Sequence, residues 1–222
     1  MDNDYSRPIV TVDIVLLTIF EGQLAAMLLA REAEPFKGQP ALIGGYVHVD
    51  EDADAEAAVR RILKAKAGLE GLFFEQLQTF ATGDRDPRGW SVSIAYFALV
   101  PHQMLAERSG NRLLPRSADE PGDLPFDHGQ IVAAARERLR GKGAYSTLAA
   151  RLLPDVFTMS ELQAIYETVL GEKLDQSAFR RKMNDLDLLR EVVGERRQTA
   201  QARRPTTLYR LKDPVSVFDR RI

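Results

Sequence analysis

Residues 44–69 read GGYVHVDEDADAEAAVRRILKAKAGL, and the fold turns on this stretch. The glycine pair Gly44-Gly45 breaks a short apolar strand, ALIGGYVHV (41–49). From Asp50 to Leu69 the pattern predicts one helix. Acids crowd its first turns, Arg and Lys its last, and Gly68 stands where a C-terminal cap belongs. Outward from this helix, IVTVDIVLLTIF (9–20), LAAMLLARE (24–32), LFFEQLQTFAT (72–82) and WSVSIAYFALVP (90–101) are rich in branched and aromatic residues and read as strands, the first two joined by a turn at EGQ (21–23). Strands around a single helix make residues 8–103 an α+β sandwich.

The chain has 222 residues, enough for two domains, and 45% of them are hydrophobic, which places it among folded rather than disordered chains. It has no cysteine, which excludes disulfides and cysteine-type zinc sites and points to the cytoplasm. The apolar stretches are too short to span a bilayer, so no membrane role is expected. The first residues, MDNDYSRP, are polar and do not read as a signal peptide. The net charge is −2, but residues 176–212 hold ten Arg or Lys against four acids, a local excess of +6 that leaves −8 on the remainder. A basic C-terminal module on an acidic body implies an anionic partner for that module.

Residues 107–130, polar and with three prolines, read as a connector. Helices are predicted over 129–142 and 145–154, the second stopped by Pro154. Thr158 or Ser160 then caps a helix carrying Leu162, Ile165, Tyr166 and Val169 at helical spacing. GEKLD (171–175) is a turn, and Asp175 caps a second helix with Phe179, Met183 and Leu186 inward. VVGERR (192–197) and TTLYRLK (206–212) read as strands around a basic loop. Helix, turn, helix and basic hairpin outline a winged helix-turn-helix. On its second helix Gln176, Ser177, Arg180, Arg181 and Asn184 fall largely opposite the apolar side. These types suit base edges in a major groove, whereas Lys182 suits phosphate and the wing residues Arg196, Arg197, Arg203 and Arg204 suit backbone or minor groove.

A second stretch, TGDRDPRGW (82–90), sets Arg85 and Arg88 around Asp86-Pro87 and ends on Trp90. Arginines grip a pyrophosphate in a fork, and an indole gives a base a face to stack on.

The first stretch resembles a Nudix box, which ends R-E-U-x-E-E-x-G-U with U apolar. Arg61, Leu63 and Gly68-Leu69 match, but the three glutamate positions hold Ile62, Ala65 and Lys66, and the spacing from Gly45 to Arg61 is two residues longer. Nudix hydrolases cut pyrophosphates with divalent metal held by those glutamates. Ile and Ala offer no oxygen, and Lys66 brings positive charge where the metal's should sit. No catalytic residue, metal or cofactor is therefore assigned. TGDRDPRGW is similar to the corresponding loop of Nudix proteins that handle ADP-ribose, in which residues at the places of Arg31 and Phe36 line the nucleotide pocket. Gly44, Gly45, Arg61 and Asp86 join Arg31, Phe36, Arg85, Arg88 and Trp90 as the expected ligand site, with Arg61 orienting the loop through backbone carbonyls.

The order of FKGQPALIGGYV (36–47), the altered box, RDPRGW, FDHGQIV (126–132), LLPDVFTMSELQAIYETVLG (152–171), FRRKM (179–183) and RRPTTLYRL (203–211) resembles the Nudix-related transcriptional regulators of NAD metabolism. That resemblance implies a Nudix-like α/β/α sandwich over 1–125 and a winged-helix domain over 126–222. It also implies a homodimeric repressor on palindromic operator DNA, with ADP-ribose or a related nucleotide as effector. The rival readings are a Nudix pyrophosphatase acting on such nucleotides, a divergent regulator with a sugar-type effector, and a nucleotide-binding protein whose C-terminal module contacts protein.

Overall fold

The computed structural model describes residues 7–108, 112–197, 205–213, 215–218 and 222, with only the backbone of Glu195 and Arg196. Strand β1 (Ile9–Phe20) is the spine of the first unit and is buried from Thr11 to Thr18. Strands β2 (Gln23–Ala30), β3 (Pro40–Ala41) and β4 (Ile43–Tyr46) come next. Helix α1 (Ala55–Ala67), strands β5 (Phe73–Thr82) and β6 (Ser91–Leu99), helix α2 (His102–Arg108), strand β7 (Leu114–Ser117) and helix α3 (His128–Gly143) complete the set.

Along one edge β1 runs parallel to β6, which pairs antiparallel with β5. Along the other, residues 11–14 of β1 pair with β4 and residues 16–20 with β2, so the two partners diverge near Val15. Alternation along the strands sorts the core. Val12, Ile14, Leu16, Tyr96 and Ala98 meet Val59, Ile62 and Leu63 of α1 and Leu105 of α2 on one face. Val15, Leu17, Ala95, Phe97 and Leu99 share the opposite cluster with Ile131, Val132, Ala135 and Leu139 of α3. The result is the expected α/β/α sandwich.

A short 3-10 helix (Thr147–Leu152) leads into the second unit: β8 (Phe157–Thr158), α4 (Met159–Leu170), α5 (Gln176–Asp185), β9 (Leu189–Arg197) and β10 (Thr206–Leu211). The three strands form one antiparallel sheet in the order β8-β10-β9. Thr158 starts α4 with a capping box. Its hydroxyl accepts from the Glu161 amide at 3.1 Å, and Glu161 accepts from the Thr158 amide at 2.7 Å. The ring of Phe179 lies 5.5 Å from that of Tyr166, whose hydroxyl donates to the Ser146 carbonyl at 2.8 Å. Phe179 and Met183 are nearly fully buried, each stabilising α5 by roughly 1.5–3 kcal/mol.

Several expectations change. Gly44 and Gly45 continue β4 rather than break it, and the interruption falls at Leu42. Helix α1 starts at Ala55, not Asp50, because Asp54 caps it by accepting from the Ala57 amide at 2.7 Å. The acids at 50–52 belong to the loop before it. The C-terminal end holds as read, with Gly68 in the left-handed region at φ 67°. The polar connector contains β7, which adds to the edge of β2, and it follows α2, a helix the periodicity does not reveal. Residues 147–152 form a 3-10 rather than an α-helix. Helix α3, expected beyond a boundary at 125/126, rests on the sheet and also packs on α4, where Arg140 Nε donates to the Val169 carbonyl at 3.1 Å. It therefore serves both units.

Candidate functional site

The divergence of β2 from β4 brings Arg31, at the end of one, near Tyr46, at the end of the other. Between them stands Phe126, just before α3. The Arg31 guanidinium lies 4.7 Å from the Phe126 ring centre and is held by Nε donating to the Pro35 carbonyl at 2.7 Å. Phe36 meets Phe126 edge-on at 5.0 Å. Arg88 completes the group, 5.8 Å from Phe126 and 5.5 Å from Tyr46, whose hydroxyl it also contacts. Phe36 and Phe126 both adopt left-handed backbone, φ 65° and 58°. Such strain in bulky residues persists where surrounding structure enforces it, and it concentrates at binding sites.

Beneath this rim lies a charge network. Arg85 is 6% exposed. Its Nε and Nη2 donate to both carboxylate oxygens of Asp127 at 2.9 and 2.8 Å, Nη1 to Ser91 Oγ at 3.0 Å, and Nη2 also to Asp13 at 3.4 Å. Burial works against its charge, but hydrogen bonding to Asp127 and the fields of Asp127, Asp13 and Asp86 outweigh burial and raise its pKa. Asp13 also accepts from Ser93 at 2.6 Å, and its other oxygen lies 3.7 Å from His128 Nε2. His128 Nδ1 accepts from the Leu42 amide at 3.1 Å, and burial pushes its pKa down, so the ring is neutral. Gly44 faces Asp13 across the strand pair. A Cβ there would fall 2.2 Å from Asp13 Oδ1 and 2.7 Å from the Val12 carbonyl, so no side chain fits.

The expected ligand residues therefore divide. Arg31, Phe36 and Arg88 gather around the Phe126 ring, whereas Gly44 lies against Asp13 and Gly45 against Ile62. Arg85 differs from expectation: its guanidinium is buried and committed to Asp127, Ser91 and Asp13, so it braces the loop beneath the Phe126 group and is not free to fork a pyrophosphate. Asp86 is likewise internal, accepting from Arg88 Nε and Nη2 at 2.9 and 2.6 Å. Burial opposes its charge, but Arg88 holds its carboxyl below the usual range. Trp90 is 52% exposed with its ring over Gly83, and among the described residues it makes no ring or cation contact with the Phe126 group. Arg61 donates to one backbone carbonyl, that of Tyr46, at 3.0 Å, and bidentately to the Asp52 carboxylate at 2.8 and 2.7 Å, so it ties the loop before α1 to the end of β4. That pairing lowers the Asp52 pKa to about 2. The site also contains Tyr46, Asp13, Phe126, Asp127 and His128, which sequence reasoning misses; three of them lie in the FDHGQIV motif.

Among the described residues no group of three or more His, Cys, Asp or Glu side chains gathers to hold a metal. The box positions do not fit a divalent ion: Ile62 is buried in the core, and Lys66 points its ammonium at the Gly44 carbonyl.

In the second unit, Gln176, Ser177, Arg180, Arg181 and Asn184 are exposed on α5, opposite buried Phe179 and Met183. Arg180 and Arg181 form no ion pair among the described residues. Lys182 instead has its ammonium 5.9 Å from the Phe218 ring, on the inward side. Arg197 ties β9 to α4, donating to Glu161 Oε1 at 3.0 Å and to the Val156 carbonyl at 3.3 Å. Arg203, Arg204 and the side chain of Arg196 lie outside the described residues.

With this geometry in place, residues 149–211 match the family model described as the NrtR DNA-binding winged helix domain. The ADPR responsive transcriptional repressor NtrR of Acinetobacter baylyi is 35% identical over 212 residues, covering 94% of this chain and 84% of the relative. Shewanella oneidensis NrtR in complex with a 27mer DNA superposes with a TM-score of 0.87 at 34% identity, over 96% of this chain and 99% of that one. The NUDIX domain of the same Shewanella protein in complex with ADP ribose gives a TM-score of 0.54 at 34% identity, over 63% of this chain and 93% of that one.

Proposed function

The chain belongs to the NrtR family of Nudix-related transcriptional regulators, and from that premise we propose that it is a repressor that binds operator DNA through its winged helix and senses ADP-ribose or a close relative in its Nudix-like unit. The observation that carries this reading is the presence, in one chain, of a cation–aromatic cluster and an exposed basic helix joined by α3. Arg31, Arg88 and the Phe126–Phe36–Tyr46 group suit a ligand with both an anionic diphosphate and a flat ring. On α5 the exposed polar and basic side chains run from Gln176 and Ser177 in the first turn through Arg180 and Arg181 to Asn184, along the kind of helix that enters the major groove in helix-turn-helix proteins. The protein acts as a homodimer on a palindrome drawn from genes of NAD metabolism, in the cytoplasm.

Helix α3 supplies the link between the two ends. Its first turn is pinned to the pocket through Asp127–Arg85 and its last turns to α4 through Arg140, and one apolar cluster runs from Val15 and Phe97 through Ile131 and Leu139 to Tyr166 and Met183. A ligand that binds two arrangements of this cluster unequally shifts the winged helices by that difference. Selection of bound duplexes from a random library tests the DNA half of the proposal. A recovered palindrome supports it, and recovery of no preferred sequence removes the operator reading.

The Nudix-like unit is a sensor rather than a hydrolase, because the box face of α1 offers Ile62, Ala65 and Lys66 in place of carboxylates. Incubated with ADP-ribose and Mg²⁺ or Mn²⁺, the protein is expected to release no AMP above background on chromatography. Metal-dependent release abolished by Asp50→Ala or Glu51→Ala would return the pyrophosphatase reading.

A further inference from the structure

Two residues at the altered box positions have definite contacts. Ile62 is 2% exposed, and its Cδ1 lies 3.5 Å from the place a Cβ on Gly45 would occupy. The space under β4 is therefore filled with hydrocarbon. Lys66 stretches from the last turn of α1 toward the same strand, where its Nζ donates a 2.5 Å hydrogen bond to the Gly44 carbonyl. The Lys66 stem is partly covered, but this hydrogen bond faces solvent. An ammonium has three donors, and only this one bond is made among the described residues, so donors remain for a ligand. Burial lowers the Lys66 pKa most. Arg31 and Arg61 add to the lowering, and Glu32 and Asp13 oppose it. Arg31 in turn feels Arg88, Asp13 and Tyr46. Lys66 thus lies at the Gly44 carbonyl of β4 within the field of Arg31, and Arg31 within that of Arg88.

We infer that the Lys66 ammonium is a ligand-binding cation that pairs with the diphosphate of the nucleotide and takes the electrostatic place of a divalent ion, so that recognition needs no metal. A diphosphate without its metal carries excess negative charge into the pocket. A fixed ammonium offsets that charge where the site offers an incoming ion hydrocarbon and repulsion from Lys66 and Arg31. The inference rests on the nucleotide reading above and assigns one residue to it.

Calorimetric titration of the full chain with ADP-ribose, and separately with adenosine, tests the assignment in EDTA and again in Mg²⁺. Wild-type affinity for ADP-ribose is expected to agree between the two buffers. Lys66→Met is expected to weaken ADP-ribose binding about tenfold or more, to leave adenosine binding unchanged, and to keep the wild-type circular dichroism spectrum. Lys66→Arg, which keeps the charge, retains most of the affinity. Wild-type binding that requires Mg²⁺, Lys66→Met binding equal to wild type in EDTA, or equal losses for both ligands would each overturn the role of Lys66 while leaving the effector reading intact. Failure of wild type to bind ADP-ribose in either buffer would remove both.

Discussion

Arg85→Ala is expected to destabilise the protein by about 3–5 kcal/mol, because removing one partner of a buried ion pair strands the others. Arg85 and the carboxylates it holds are all shielded, with side-chain exposures of 3% for Arg85, 10% for Asp13 and 13% for Asp127. The same substitution frees the first turn of α3. Arg88→Ala costs less stability, since water reaches that side chain at the rim, but it removes the cation over Tyr46 and Phe126 and so weakens nucleotide binding. Denaturant unfolding read by Trp90 fluorescence separates the two variants. An Arg85→Ala midpoint equal to wild type would contradict the brace and return Arg85 to the solvent-facing role that its loop suggests.

Arg180→Ala and Arg181→Ala are each expected to cost about 1–3 kcal/mol in operator affinity and to relax sequence preference, as lost base contacts do. Arg197→Ala is expected to act differently. Its guanidinium is engaged by Glu161 and the Val156 carbonyl, so the variant loosens β9 from α4 and lowers stability before it changes base preference. Fluorescence anisotropy on the selected palindrome and on a scrambled duplex, at several salt concentrations, distinguishes these outcomes, because backbone contacts weaken both duplexes alike. Unchanged affinity in Arg180→Ala and Arg181→Ala, with folding intact, would take α5 out of the interface.

The sequence was most informative where chemistry is local. The αL cap at Gly68, a cap at Thr158 as one of two candidates, and the burial of Leu162, Tyr166, Phe179 and Met183 all follow from spacings of a few residues. It was least informative where a partner lies far along the chain. Arg85 looks free beside Arg88, yet its acceptor Asp127 is 42 residues away and Asp13 is 72 residues away. Arg197 looks like a wing residue, yet Glu161, already capping α4, is 36 residues back. β7 was hidden for the same reason: LPRS has no strand pattern of its own and becomes a strand only by adding to the edge of β2. At the site, the resemblance pointed to Arg31 and Phe36, and the structure brings both to the ring of Phe126, which itself stands in a stretch with no periodicity to reveal it.

One ligand, bound at the Arg31–Phe126–Arg88 cluster, is expected to control the grip of α5 on DNA, and titrating ADP-ribose into the labelled protein–operator complex while following anisotropy measures that control. Saturating ADP-ribose is expected to lower operator affinity by an amount corresponding to about 1–3 kcal/mol of coupling, and Arg88→Ala to blunt this shift while binding operator normally without ligand. Wild-type complexes whose affinity is unmoved by saturating ADP-ribose would contradict it.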